Sequence, residues 1–271
     1  MRDGVLVSPI CIGTVGDPDV VPAAFEAGIN FFFVTADMHW PIYENVREGL
    51  RRLLRKNPAA RESLVVGVVA YVTQPEFCWM PFEEVLDEIP ELERRIDVTI
   101  AGGCYGHEFP TRVAVFKKHR ETKHVGARAI GASFHDRVGA RAALEAGDLD
   151  IAYIRYNPIH PGAALDLFPH VTDEQPVLFN FKSTNGYLEE RHYAALNIDD
   201  SFWRPHITDY YRFVLSEPAL DGVLCAPPNA AAIRDLADAL AKGPLDDEDR
   251  QYMLDLGVLA RGEAKVAAAG A

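Results

Sequence analysis

The 271-residue chain has no run approaching the roughly 18 apolar residues that a membrane-spanning helix needs. Its first residues, Met1-Arg2-Asp3-Gly4, carry neither the basic segment nor the apolar stretch of a secretory signal, so a cytoplasmic location is expected. Cysteine is scarce: Cys11, Cys78, Cys104 and Cys225 are scattered and never form a CxxC pair. They read as reduced thiols in or near strands rather than as a disulfide framework or zinc cage. No basic stripe interleaves with aromatics, and the formal net charge is −13. That balance argues against nucleic acid or an anionic membrane as partner. No G-x-G-x-x-G follows an early strand, and Gly13-Thr14-Val15-Gly16 is too short to serve as one, which weakens an open doubly wound sheet. No internal repeat, linker or low-complexity stretch divides the chain.

What is present has the composition of a globular protein with a sizeable core, 48% hydrophobic and 25% charged. Eight short apolar runs, rich in β-branched residues, stand out at 10–14, 30–35, 64–72, 97–102, 127–133, 150–157, 176–182 and 222–226. Apolar on both sides, they are the pattern of parallel strands buried on both faces. Segments of helical spacing lie between them at 41–56, 81–95, 112–119, 138–146 and 231–241. Strict βα alternation repeated eight times predicts an α/β fold, a single (β/α)8 TIM barrel over 1–271. Two additions are expected: an aromatic- and histidine-rich insertion at 186–220, read as a lid over the barrel mouth, and a C-terminal acidic helix at 246–259.

Several local signatures, in order along nearly the whole chain, resemble the aldo-keto reductase superfamily. Val7-Ser8-Pro9-Ile10-Cys11-Ile12-Gly13-Thr14 is similar to its first strand, and Ala24-Phe25-Glu26-Ala27-Gly28-Ile29-Asn30 to the helix and turn before its second. Val34-Thr35-Ala36-Asp37 stands where the family writes Asp-Thr-Ala. Ala127-Arg128-Ala129-Ile130-Gly131-Ala132-Ser133 resembles its fifth strand, and Tyr156-Asn157-Pro158 the end of its sixth. The resemblance implies a catalytic Asp, Tyr, Lys and His, since a tyrosine needs a nearby cation to give up its proton near neutrality. Here the Asp position is Val34 and the Tyr position His39. The Lys position falls near Val69, and no lysine occurs between Lys56 and Lys117. The His position lies within 102–105, where there is none. Ser133 survives among the implied cofactor contacts. The expected amide beside it is Phe134, the Gln under the nicotinamide is Tyr153, the seventh-strand aromatic is Asn180, and the adenine positions are Ala232 and Leu236. NADPH positions are thus eroded, and no cofactor is expected.

In such a barrel, ligands bind where the strands end. His39, Tyr71, Arg155 and Lys182 are the expected catalytic residues: an imidazole suited to proton transfer, a phenol, a cation needing an anionic partner, and an amine at a strand end. Asp37, Trp40, Tyr105, Ser133, Tyr153, Asn157, Asn180 and Trp203 are the expected substrate contacts. Strand alternation puts Tyr153, Arg155 and Asn157 on one face. Cys104, His107, Glu108 and His135 are the candidates for a metal, with His39 as a further donor. They lack HxH or HExxH spacing, and metal is not expected. Three readings follow: an enzyme doing nicotinamide-independent acid/base chemistry on a polar small molecule or peptide, in specialised biosynthesis; a divergent NADPH-dependent carbonyl or imine reductase with His39 as proton donor; and a non-catalytic binding protein on the same scaffold.

Overall fold

The computed structural model describes residues 6–121, 127–172 and 176–269. Strand and helix alternate as β1 (Ile10–Ile12), α1 (Val20–Glu26), β2 (Phe31–Val34), α2 (Glu44–Lys56), β3 (Val65–Ala70), α3 (Met80–Glu88), β4 (Val98–Cys104), α4 (Phe109–Glu121), β5 (Ala129–Phe134) and α5 (Arg137–Ala146). The chain continues through β6 (Ile151–Arg155), α6 (Ala163–Asp166), β7 (Val177–Phe181), α7 (Glu190–Ala195), α8 (Ile207–Leu215), β8 (Gly222–Cys225), α9 (Ala231–Ala241) and α10 (Asp247–Ala269). Each strand pairs in parallel with the next, and β1 closes on β8 with Ile12 opposite Cys225. All eight expected strands form, and the result is the expected closed (β/α)8 barrel.

The barrel interior is a packed column rather than a pore. Phe31 meets Phe179 edge to face at 5.2 Å, and Tyr153 stands against Phe33 at 5.2 Å and Phe179 at 5.8 Å. Burying each such ring stabilises the fold by about 1.5–3 kcal/mol. Space for the Phe179 ring comes from β8: a Cβ at Gly222 would lie 2.4 Å from it. Outside, α2 turns Val46, Leu50, Leu53 and Leu54 onto the barrel, the stripe its spacing predicts. The third helix is shorter than the expected 81–95. Pro90 has no N–H to continue the ladder, so α3 stops at Glu88 and a short 3-10 turn follows over Pro90–Leu92.

The insertion between β7 and β8 folds into α7 and α8, and Tyr211 of α8 lines the cavity at the barrel mouth. Phe213 and Val214 join the main core. Leu188 and Tyr193 form a separate small core with Leu256 of α10. The C-terminal helix runs well past the expected 259.

Candidate active site

Three buried arginines fix the ends of the strands. Arg47 on α2 donates to the carbonyls of Thr35 at 2.7 Å and Trp40 at 3.0 Å while its Nε meets Glu88 at 2.6 Å. Arg112 on α4 donates to Gly102 O at 2.9 Å and to Ala70 O, joining the tops of β3 and β4. Arg61 does the same at the bottom, donating to Leu64 O and pairing with buried Asp97 at 3.1 Å. The turn after β2 is thereby set. Asp37, its side chain only 3% exposed, accepts from the backbone N–H of His39 at 3.1 Å and from that of Tyr71.

Above this frame lies a cavity of about 440 Å³ at the C-terminal end of the barrel. His39, Tyr71, Ser133, His135, Tyr153 and Lys182, all singled out from the sequence, line it. The His39 ring lies on Tyr71 at 4.1 Å between centroids. His39 stands at the N-cap of a 3-10 turn (Trp40–Tyr43), yet its side chain makes no cap hydrogen bond. Its Nδ1 is buried, 3.5 Å from the Asp37 carboxylate, while the side chain is 40% exposed. The ring therefore presents its Nε2 edge as the accessible side. Tyr71 owes its position to Gly102 opposite, where a Cβ would stand 2.6 Å from the phenol ring and 2.7 Å from Val69. Ser133 Oγ accepts from Gly103 N–H at 2.8 Å, which leaves its own proton to donate.

The cavity also holds Tyr43 and Tyr211, which the sequence reading did not single out as site residues. Tyr43 sits beside Tyr71 and interacts with its phenol, and burial holds the pKa of both above the ordinary tyrosine value. Tyr153, on the floor, faces the Cys11 thiol at 3.8 Å, and burial pushes both groups up. Tyr211 from α8 lines the wall, its hydroxyl accepting from the Ala226 N–H at 3.3 Å, and burial raises its pKa too. These phenols stay protonated at neutral pH and act as donors. The pKa of His135 is lowered, first by burial and then by Arg155 and Lys182.

Other expected site residues are held elsewhere. Asn157 is fully buried, and its amide donates to Lys182 O at 2.8 Å while its oxygen accepts from His160 N at 2.9 Å. That grip holds Lys182 in a left-handed backbone conformation, φ 57°. Asn180 alternates with the inward Phe179 and Phe181, so it faces away from the interior and donates to the carbonyls of Ile154 and Tyr156. Trp40 covers Arg47, its ring 5.2 Å from the guanidinium carbon. Trp203 packs on Tyr252 of α10 at 5.8 Å, and Tyr105 stacks on His107 at the surface. The metal candidates are dispersed. Cys104 is buried under Arg112 at 3.3 Å, His107 is 80% exposed near Glu108, and His135 lies in the cavity. No cluster of three such donors exists among the described residues. A wider concavity of about 710 Å³ lies by the N-terminal ends of β7 and β8. Its carboxylates are committed: Asp221 caps Leu178 N at 2.8 Å and Glu217 meets Arg250 at 3.3 Å.

Solved structures match this architecture over nearly its full extent. An aldo-keto reductase from Bacillus halodurans in its holo form superposes with a TM-score of 0.73 at 13% identity, covering 92% of each chain. The chain has the aldo-keto reductase fold. A thermostable aldo-keto reductase in complex with the inhibitor epalrestat gives 0.68 at 15% identity, covering 94% of this chain and 97% of that one. A protein of Pseudomonas aeruginosa assigned as an aldo-keto reductase gives 0.65 at 17%, covering 88% and 92%. At these identities the aldo-keto reductase likeness is one of fold. No family model and no curated protein matches the sequence. Among the described residues no helix is long and apolar enough to cross a membrane.

Proposed function

We propose that this aldo-keto-reductase-like barrel is an enzyme that moves protons on a polar small molecule or peptide without a nicotinamide cofactor, with His39 as the acid/base group. One observation carries the reading: the His39 imidazole lies against Tyr71 at the cavity wall with Asp37 behind its Nδ1. Histidine is the residue type whose ordinary pKa lets it take and return a proton near neutrality. The Asp37 carboxylate faces Nδ1 at 3.5 Å, which leaves Nε2 as the edge turned to a substrate. Negative charge developing on a substrate oxygen meets the neutral phenol of Tyr71, which itself accepts from Tyr43, and the free proton of Ser133, preset donors at the cavity wall.

The turn after β8 supports the absence of a dinucleotide. Binding a diphosphate takes free backbone N–H groups or cations. This turn reads Ala226-Pro227-Pro228-Asn229-Ala230, two of its residues have no N–H, and the Ala226 N–H is taken by Tyr211. Gly16 of the opposite loop packs on Pro228, where a Cβ would come within 2.4 Å of its carbonyl oxygen. These residues do not fit a diphosphate cradle.

Calorimetric titration with NADPH and NADP⁺, followed by steady-state reduction of an aldehyde and ketone panel, tests the reading. The expected result is no saturable binding at millimolar cofactor and no reduction. Tight binding with turnover that disappears in His39→Ala would instead make the protein an NADPH-dependent reductase.

A further inference from the structure

We infer that the substrate of this cavity carries an anionic group, a carboxylate or a phosphate, bound at the cavity rim between Lys182, which lines it, and Arg155, which ends the neighbouring strand β6 outside the lining. The inference rests on the reading of the cavity as a substrate site and names the chemistry of its ligand. Arg155 ends β6 with the inward parity of Tyr153, and it sits directly opposite Phe181 in register. Lys182 is the next residue after Phe181, and it lines the cavity. His135, after β5, packs its ring edge to face on Phe181 at 5.0 Å. Three adjacent strand ends thus bring three basic side chains around one phenylalanine.

None of this charge is neutralised nearby. Neither Arg155 nor Lys182 forms an ion pair among the described residues. The carboxylates on the neighbouring turns are committed elsewhere: Asp136 caps α5 by accepting from Val138 and Gly139 N–H, and Asp166 grips Arg137 at 2.7 Å. Burial first, and then both cations, lower the affinity of His135 and His160 for protons, so the two cations add a positive contribution at the rim. Such a cluster is conspicuous in a chain of net charge −13. Holding a half-buried guanidinium without a counter-ion is costly unless a ligand completes it. The left-handed backbone of Lys182, pinned by Asn157, is strain that aims this amine, and such strain gathers at ligand clamps.

The test uses inorganic phosphate and malonate as probes, followed by the histidine side-chain NMR signals of the full chain. Phosphate or malonate should shift the His135 resonances in a saturable way. Arg155→Gln and Lys182→Gln should each weaken binding about tenfold, the loss of one charge-assisted hydrogen bond. Tighter binding of phosphate would point to a phosphorylated substrate, and tighter binding of malonate to a carboxylate. Lys182 is exposed, so its variant keeps the fold and remains informative if the Arg155 variant does not. No saturable shift with either probe, or the same affinity in a folded variant, overturns the inference. Because the probes undergo no reaction, either result leaves the role of His39 to be judged by turnover alone.

Discussion

Asp37, at the end of the second strand, reaches across to accept the backbone N–H of Tyr71 beyond the third. With its other oxygen it accepts the N–H of His39. One buried carboxylate therefore ties together the two turns whose side chains, an imidazole and a phenol, meet at a tilt of 44°. Replacing Asp37 with Asn keeps the size but substitutes donors for an acceptor oxygen. Turnover should fall about 10²–10⁴-fold, as for loss of acid/base support. The measurement is kcat in Asp37→Asn beside His39→Gln: full activity in His39→Gln would remove His39 from the mechanism, and full activity in Asp37→Asn would remove the support assigned to its carboxylate.

Gly102→Ala should displace Tyr71. The added Cβ would come within 2.6–2.7 Å of its ring and of the buried Val69 side chain. Overpacking of this kind costs about 1–3 kcal/mol. Urea unfolding should report that loss, and an unchanged midpoint would mean that the ring moves freely.

Arg112→Met should be among the most damaging substitutions, because it leaves the buried carbonyls of Ala70 and Gly102 without their donor. Each orphaned acceptor costs about 1–3 kcal/mol. Thermal unfolding checks this, and retention of the native Tm would show that water takes over both carbonyls.

Stability should fall on mild acidification. His135 and His160 hold protons less tightly when folded than at their ordinary value of 6.5, through burial and the nearby cations. The unfolded chain then binds more protons than the native one between the lowered values and 6.5. Their contribution is complete above about 6.5 and is lost as pH falls through that window. Denaturant midpoints measured in His135→Gln should show a shallower decline than the parent, and an identical slope counts against the assignment.

All four thiols should be inert in the native state. They are buried, and burial raises the pKa of Cys78 and Cys104 to about 11 and drives those of Cys11 and Cys225 higher still. Since the thiolate is the nucleophile, a thiol-specific dye should label the protein only after unfolding. Rapid labelling of even one native cysteine contradicts the packing described.

The barrel was legible in the sequence because strands buried on both faces have to be apolar throughout, and eight such runs leave few alternative architectures. His39, Tyr71, Ser133 and Lys182 were legible as cavity residues because strand ends in this fold converge. Alternation along a strand explains Asn180, whose aromatic neighbours both point inward. It fails for Asn157, since β6 ends at Arg155 and the chain turns before reaching it. Tyr43 was hidden by its place in the approach to a helix, where an aromatic reads as packing. Trp203 depends on a partner, Tyr252, some fifty residues away in sequence, and no local pattern reports such a contact.

The hydroxyl of Tyr211 on the Ala226 N–H joins the insertion to the eighth strand at the cavity wall. That single bond makes the segment between β7 and β8 a structural member of the pocket, not an ornament beside it. Shortening the segment would unseal one side of the cavity to bulk water. An engineer seeking to enlarge the pocket would therefore begin at Tyr211, where removing one ring widens the chamber at the expense of the hydrogen bond to the Ala226 N–H.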